Sequence, residues 1–168
     1  MKTNVTVNTY TYSVTYVTQQ LLGSLKSIIR RSGLSLDKIM NDWVSVENAV
    51  FTWLSSKHLQ NVALEIYNPT TDALVVRWDI DVEYGYSSDD NGSLWVDTDA
   101  IMHALAKAGA VASICKYEFK MRAPGGANVA GWGPCSYRST AGFTQHSVGT
   151  TIGANSLGSS TSYWRKAS

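Results

Sequence analysis

Three carboxylates at alternate positions of one strand-like stretch are the first candidates for chemistry. Asp79, Asp81 and Glu83 would project from one face of a β-strand, where together they could bind a divalent cation. The residues interleaved with them are apolar, as expected for an antiparallel strand with one buried and one solvated face. We therefore interpret the carboxylates as the face that meets water, and we expect no metal site there.

A second acidic pair follows a Gly-Ser dipeptide. Gly92-Ser93 precedes Asp97 and Asp99, an order weakly similar to the Gly-Ser and Asp-x-Asp elements of nucleotidyltransferases. The gap is too short for that active site, and a helix cap explains both aspartates. The sequence also has no Walker-type run, no G-x-G-x-x-G and no G-x-S-x-G. We expect no catalytic residues and no enzymatic activity.

The cysteines, the histidines and the net charge exclude further classes of binding site and partner. Cys115 and Cys135 are too few for a disulfide framework, and His58, His103 and His146 have no ligand-like spacing, so we expect no metal and no cofactor. A formal net charge of +1 gives no electrostatic reason for direct nucleic acid binding. No apolar run could span a bilayer and the start lacks a signal peptide's apolar block, so we expect a cytoplasmic protein without membrane contact.

Three amphipathic helices are predicted to position these residues. The first runs from Ser13, a candidate N-cap, to the arginines before Gly33, with apolar residues at steps of three and four. The second is capped by Ser35 and continues with the same period to Leu54. The third is opened by Asp97 or Thr98 and stops at Gly109.

The remaining periodic segments predict strands. Residues 61–67 alternate, the turn Asn68-Pro69-Thr70-Thr71-Asp72 follows, and a long return strand runs from Leu74 to Tyr86. A further strand runs from Cys115 to Arg122. These elements predict a single α+β domain in which three helices pack on an antiparallel sheet with a long hairpin.

The C-terminal segment has an unusual composition. Gly, Ser and Thr make up 19 of the 38 residues from 131 to 168, yet aromatic residues are spaced through the segment. This composition is compatible with a flexible segment that docks conditionally through aromatic anchors. It is equally compatible with ordinary short strands that complete a sheet.

Several runs resemble one known family over nearly the whole chain. They are TYTYSVTYVTQQLLGSLKSIIRRSGL, ALEIYNPTTDALVVRWDIDVEYGY, GSLWVDTD, SYRSTAGFTQHSVGTTI and YWRK. Both these runs and the order of elements resemble the bacterial HORMA domain proteins encoded beside cGAS/DncV-like nucleotidyltransferases in CBASS anti-phage systems.

The resemblance implies a regulator that signals through a second messenger made by its partner. In that family a C-terminal safety belt wraps a closure-motif peptide, the closed form binds and activates the nucleotidyltransferase, and an AAA+ remodelling ATPase reopens it. Carried over by the order of elements, residues 1–12 correspond to a flexible N-terminal handle, residues 13–122 to the core and residues 123–168 to the belt.

The same resemblance implies where the peptide binds. The strand over residues 113–122 corresponds to the receiving edge, with side-chain pockets near Tyr117, Phe119 and Met121, and we expect the belt to add a strand along Leu74 to Tyr86. The remaining predicted peptide-binding residues come from the third helix and the belt; they are Ile101, Leu105, Trp132, Tyr137 and Trp164. We expect the belt mainly to slow release of the peptide.

Two readings from other classes stay open on the sequence. A structural or assembly protein rich in β-structure would also have Thr-, Tyr- and Gly-rich ends. A small enzyme could use a site assembled only in space, with Asp97 and Asp99 as the residues to replace first.

Overall fold

The described part of the chain consists of a six-stranded antiparallel sheet and four helices. The structure is a computed structural model that describes residues 9–85 and 94–166. The helices are α1 (Thr9–Arg31), α2 (Asp37–Asn41), α3 (Trp43–Ser55) and α4 (Thr98–Ala108). The strands are β1 (Asn61–Tyr67), β2 (Leu74–Tyr84), β3 (Trp95–Val96), β4 (Lys116–Arg122), β5 (Phe143–Ala154) and β6 (Leu157–Lys166). Their order across the sheet, β3-β5-β6-β2-β1-β4, confirms the α+β class.

The first helix, α1, begins four residues before the predicted N-cap. Ser13 lies inside the helix and is buried, so its prediction as the cap was wrong. The hydroxyl of Tyr10 donates a hydrogen bond of 2.6 Å to the carbonyl of Leu54, which docks the first turn on α3. This contact makes residues 9–12 helical, where a loose handle was expected; residues 1–8 of that handle lie outside the described residues.

The predicted second helix is two helices, so residues 9–85 and 94–166 contain four helices where three were predicted. The backbone at Asp42 (φ −95°, ψ 4°) departs from helical values and separates α2 from α3. A tertiary contact holds α2 in place, because the Tyr117 hydroxyl accepts a hydrogen bond of 3.2 Å from the amide of Ile39. The predicted cap at Ser35 is displaced by one residue: Leu36 occupies the N-cap position, and the Ser35 hydroxyl accepts from the amide of Asp37 at 3.1 Å.

The hairpin β1–β2 forms the middle of the sheet, as the alternating pattern predicted. Asn61 to Tyr67 pair with Asp81 to Leu74, and the intervening turn is closed by the Asn68 side chain, whose carbonyl accepts from the amide of Thr70 at 2.8 Å. The predicted end of the return strand at Tyr86 lies outside the described residues.

The C-terminal segment forms strands rather than a loose tail. β6 pairs antiparallel with β2 from Val76 to Tyr84, β5 pairs with β6, and β3 covers the far end of β5. The expectation that this segment adds a strand along the return strand is therefore confirmed. None of the described helices is long and apolar enough to cross a membrane.

Helices cover one face of the sheet, and the buried core lies between the two layers. The other face is polar but not fully open to water: Glu65 is completely buried and Asp79 is 5% exposed, whereas Asp81 and Glu83 are exposed. The prediction that all three alternating carboxylates meet water was therefore wrong for Asp79. Side chains of residues 137 and 138 contact this face, which the strand pattern alone could not reveal.

Candidate functional site

The outer edge of β4 has backbone groups that no strand of the described chain pairs with. The amide of Val82 donates to the carbonyl of Gln60, so even-numbered residues of β1 point their backbone groups to β2 and odd-numbered ones to β4. The register Glu65–Glu118 then directs the even-numbered residues of β4 towards β1. It follows that the amides and carbonyls of Tyr117, Phe119 and Met121 point away from the sheet, at its free edge.

The side chains of the same three residues pack towards the helices. The Tyr117 hydroxyl donates 2.7 Å to the carbonyl of Ser35, and its ring meets Phe119 edge to face at a centroid distance of 5.9 Å. Burial raises the pKa of Tyr117, so the phenol remains a neutral donor. Met121 is buried and Phe119 is half-buried. The structure thus brings together on one strand the three residues predicted at the peptide-receiving edge.

A cavity lies at each end of this edge. At the C-terminal end of β4, a cavity of about 380 Å³ is lined by Trp53, Met121 and Trp132, together with the polar side chains of Arg122 and Asn128. At the N-terminal end, a cavity of about 680 Å³ is lined by more polar groups, including Asp37 and Lys116. A chain added to the edge would therefore meet an apolar cavity at one end and a polar one at the other.

The segment after β4 first runs along the helical side of this edge. Trp53 donates from its indole Nε1 to the carbonyl of Ala127 at 2.8 Å, and Trp132 donates to the hydroxyl of Ser45 at 3.0 Å. Gly126 permits the first contact, since a Cβ there would lie 2.7 Å from Cδ1 of the Trp53 ring. Two α3 residues thus fix the start of the segment through hydrogen bonds.

The segment then crosses the edge onto the other face of the sheet. The thiol of Cys135 lies 3.8 Å from the carbonyl of Met121, at the edge itself. Two residues later, the Tyr137 hydroxyl donates 2.6 Å to the side-chain carbonyl of Asn61. Burial raises the pKa of Tyr137 to about 12, against the lowering effect of Arg122. Residues 123–138 therefore form a loop around the C-terminal end of the β4 edge.

Arg138 anchors this crossing, and the sequence reasoning missed it. Its guanidinium Nη1 lies 2.8 Å from the buried carboxylate of Glu65 and 2.5 Å from Glu118, and Nη2 lies 2.7 Å from Asp72. The Glu65 carboxylate also accepts the backbone amide of Arg138, at 2.8 Å. Burial by itself would lower the pKa of Arg138, but the hydrogen bonds to the carboxylates raise it above its ordinary value. A lone arginine in a nearly uncharged segment was the signal available in the sequence.

The other predicted peptide-binding residues lie elsewhere. Trp164 pairs with Arg77 on β2, and the Arg77 guanidinium lies 5.5 Å from its ring and 5.2 Å from that of Tyr137. Trp164 thus contributes to the packing of β6 on the polar face of β2. Ile101 and Leu105 lie on the buried face of α4, and this helix packs on α1 and β5. The structure does not bring these two residues to the β4 edge.

Asp97 and Asp99 are the acidic pair that could have suggested an enzyme, and Asp97 has a structural role. The Asp97 carboxylate accepts the amide of Ala100 at 3.0 Å and caps α4, as predicted. Within residues 9–85 and 94–166, no group of three or more His, Cys, Asp or Glu side chains could hold a metal ion. The two cysteines are free thiols, one buried and one exposed.

Comparisons with solved structures agree with this fold. A chain of a mitotic checkpoint complex superposes with a TM-score of 0.73 at 14% identity, covering 93% of this chain and 99% of that one. A chain of an E. coli MS115-1 CdnC:HORMA-deltaN complex gives 0.55 at 10% identity, covering 93% and 90%. C. elegans HTP-2 bound to a HIM-3 closure motif gives 0.52 at 10% identity, covering 80% and 72%.

Comparison of the sequence with family models gives the assignment. No curated protein matches the chain. The model described as bacterial HORMA domain 2 matches residues 2–167, which is almost the whole sequence. The fold, the free β4 edge and the loop around it have been described above, and the match over residues 2–167 shows that the chain belongs to the bacterial HORMA domain family.

Proposed function

We propose that this chain is a non-enzymatic switch that captures a closure-motif peptide along β4, with residues 123–168 as its safety belt. The observation that carries the proposal is the position of the belt: its hairpin, β5–β6, pairs with β2 at one side of the central β1–β2 hairpin, and β4 on the other side keeps an unpaired edge. Such an edge accepts an extended peptide by strand addition, and main-chain hydrogen bonds supply affinity.

The two cavities supply selectivity in this proposal. Side chains of an added strand alternate between the two faces of the sheet, so every second peptide residue would face the helices beside Tyr117, Phe119 and Met121. The apolar cavity at Trp53 and Trp132 suits a large apolar side chain. Since the belt loop crosses the edge at Cys135, a bound peptide would be enclosed, and its release should be slow.

The comparisons also support a partner and a pathway. A structural neighbour is described in complex with CdnC, and another is bound to a closure motif. We infer that the closed, peptide-bound form binds and activates a cGAS/DncV-like nucleotidyltransferase in CBASS anti-phage defence in the cytoplasm. An AAA+ ATPase would reset the switch by pulling on the N-terminal segment, as the family resemblance implies.

A backbone-specific test distinguishes strand addition from other peptide binding. A peptide is first selected from a random display library, and its binding to the full chain is measured by fluorescence anisotropy. Phe119→Pro removes an outward-pointing amide and should abolish binding, because proline cannot donate to an added strand. Phe119→Ala is the matched control, since it also loses the phenyl ring but keeps the amide, and it should still bind. Equal affinity in both variants would contradict the proposal.

The partner and the reset are tested separately. Nucleotide second-messenger synthesis by a purified cGAS/DncV-like nucleotidyltransferase is measured with the chain, with the selected peptide, and with both. The proposal predicts activation only with both, and loss of that activation with Phe119→Pro. Addition of an AAA+ remodelling ATPase and ATP should then speed release of the labelled peptide. Peptide binding without any activation would be consistent with a peptide-binding switch but would contradict the nucleotidyltransferase as its partner.

A further inference from the structure

A cavity between α4 and β5 lies away from the β4 edge and has a distinctive set of donors. Its volume is about 230 Å³, and its lining includes His103 and Lys107 from α4 and His146, Ser147 and Tyr163 from the belt hairpin. His103 and Lys107 are four residues apart and so lie on one face of the helix. The His146 ring stacks on Tyr163 at a centroid distance of 4.8 Å and an interplanar angle of 17°, and like His103 and Lys107 it is exposed to solvent.

The charge of this cavity is unbalanced. Its lining contains one ammonium group and two imidazoles, and no carboxylate lines it among the described residues. Even a neutral imidazole offers a ring N–H as a donor. The carboxylate closest in sequence is Asp99, one turn before His103 and outside the lining.

A further cation, Arg165, lies on the same hairpin beside the cavity, outside its lining. Arg165 and His146 lie on the same face of the β5–β6 hairpin, in diagonally adjacent register positions, because Arg165 pairs with Thr144 and His146 pairs with Tyr163. The Nη1 atom of Arg165 is buried and has no hydrogen-bond partner among the described residues. Arg165 as a whole is half-buried, so it adds positive charge beside the cavity without belonging to its donors.

We propose that this cavity binds a phosphate group and that the bound anion ties the belt hairpin to α4. A phosphate has three or more acceptor oxygens, which suits donors that converge from two elements, whereas a carboxylate has only two. The volume accommodates a single phosphate group or the phosphate end of a nucleotide. Because His146 comes from the belt and Lys107 from the core, the site exists only while β5–β6 is paired with β2, so phosphate favours that arrangement.

Calorimetric titration of the full chain with inorganic phosphate at low ionic strength tests the proposal. We expect saturable binding that Lys107→Gln and His146→Gln each weaken about tenfold, the loss expected for one charge-assisted hydrogen bond. Arg30→Gln is the matched control for loss of one positive charge, since Arg30 is exposed at the end of α1, and it should bind as the unmodified chain does. Acetate should bind more weakly than phosphate.

Histidine side-chain NMR spectra of the unmodified chain give a reading that does not depend on any variant. Phosphate should shift the ring resonances of His103 and His146 and leave those of His58 unchanged. Adenosine monophosphate that binds more tightly than phosphate would assign the group to a nucleotide, and equal affinity would assign it to free phosphate. No saturable binding, equal affinity for acetate, or shifts at His58 alone would overturn the proposal.

Discussion

Replacement of Arg138 by methionine tests how strongly the belt is fastened to the polar face of the sheet. Methionine keeps most of the side chain's length and apolar stem but removes the guanidinium that contacts Glu65, Glu118 and Asp72. Glu65 is the important partner, because its carboxylate is fully buried and becomes under-compensated when the guanidinium is lost.

The magnitude follows from what remains around Glu65. Removing one partner of a buried ion pair costs about 3–5 kcal/mol. Lys120 still lies 2.9 Å from the carboxylate, and the amide of residue 138 still donates to it, which puts the loss at the lower end of that range. The contacts to the more exposed Glu118 and Asp72 add about 0–1 kcal/mol each. We therefore expect Arg138→Met to lower the free energy of unfolding by about 3 kcal/mol.

Urea denaturation near neutral pH measures this loss, and two variants serve as controls. Arg138→Lys keeps the charge but not the planar fork, so it should lose about 1 kcal/mol, close to one ordinary hydrogen bond. Arg30→Met removes an exposed arginine and should change stability by less than about 0.5 kcal/mol. Amide exchange of β6 should also quicken in Arg138→Met, because β6 belongs to the belt that this contact fastens. A loss no larger than that of Arg30→Met would refute the reasoning.

Two further predictions concern the same segment. Gly126→Ala places a methyl group against the ring of Trp53 and should destabilise the fold by about 1–3 kcal/mol in urea denaturation, whereas Gly133→Ala, where a Cβ meets nothing within 4 Å, should be nearly neutral. Burial raises the pKa of Tyr137 to about 12, whereas a tyrosine in the unfolded chain has a pKa of about 10. The contribution of the Tyr137 phenol to the free energy of unfolding is therefore fully present below about pH 10 and is lost as the pH rises towards 12. Tyr137→Phe, which cannot ionise, should therefore show a shallower loss of stability over that range; an unchanged slope would argue against a buried phenol.

The helices and strands were largely predictable because local periodicity reports which face is buried. The alternation around Trp78 and the cap at Asp97 needed no tertiary information, and both are found in the structure. The boundaries that were wrong depend on tertiary contacts. Tyr10 extends α1 because its hydroxyl binds the carbonyl of Leu54. Tyr117 holds α2 through a hydrogen bond with Ile39, from which it is separated by 78 positions in the sequence.

The candidate site was predictable only in part, for a related reason. Alternation predicted the strand that carries Tyr117, Phe119 and Met121, whereas its place at the edge of the sheet was implied only by the family resemblance and is seen in the strand order. Ile101 and Leu105 were assigned by family order, but an amphipathic helix buries its apolar face in the nearest core, here against α1 and β5. The burial of Glu65 and Asp79 depends on Arg138 and Tyr137, which come from a distant segment without a periodic pattern.

Amide hydrogen exchange at β4, with and without a display-selected peptide, tests the central claim most directly. The amides of Tyr117, Phe119 and Met121 point to the free edge and should become strongly protected when peptide binds. The amides of Glu118 and Lys120 already face β1, so their protection should change little and they serve as internal controls. Protection confined to the three odd-numbered residues is the result this account predicts. Unchanged exchange at all three, with protection appearing elsewhere, would contradict strand addition at this edge.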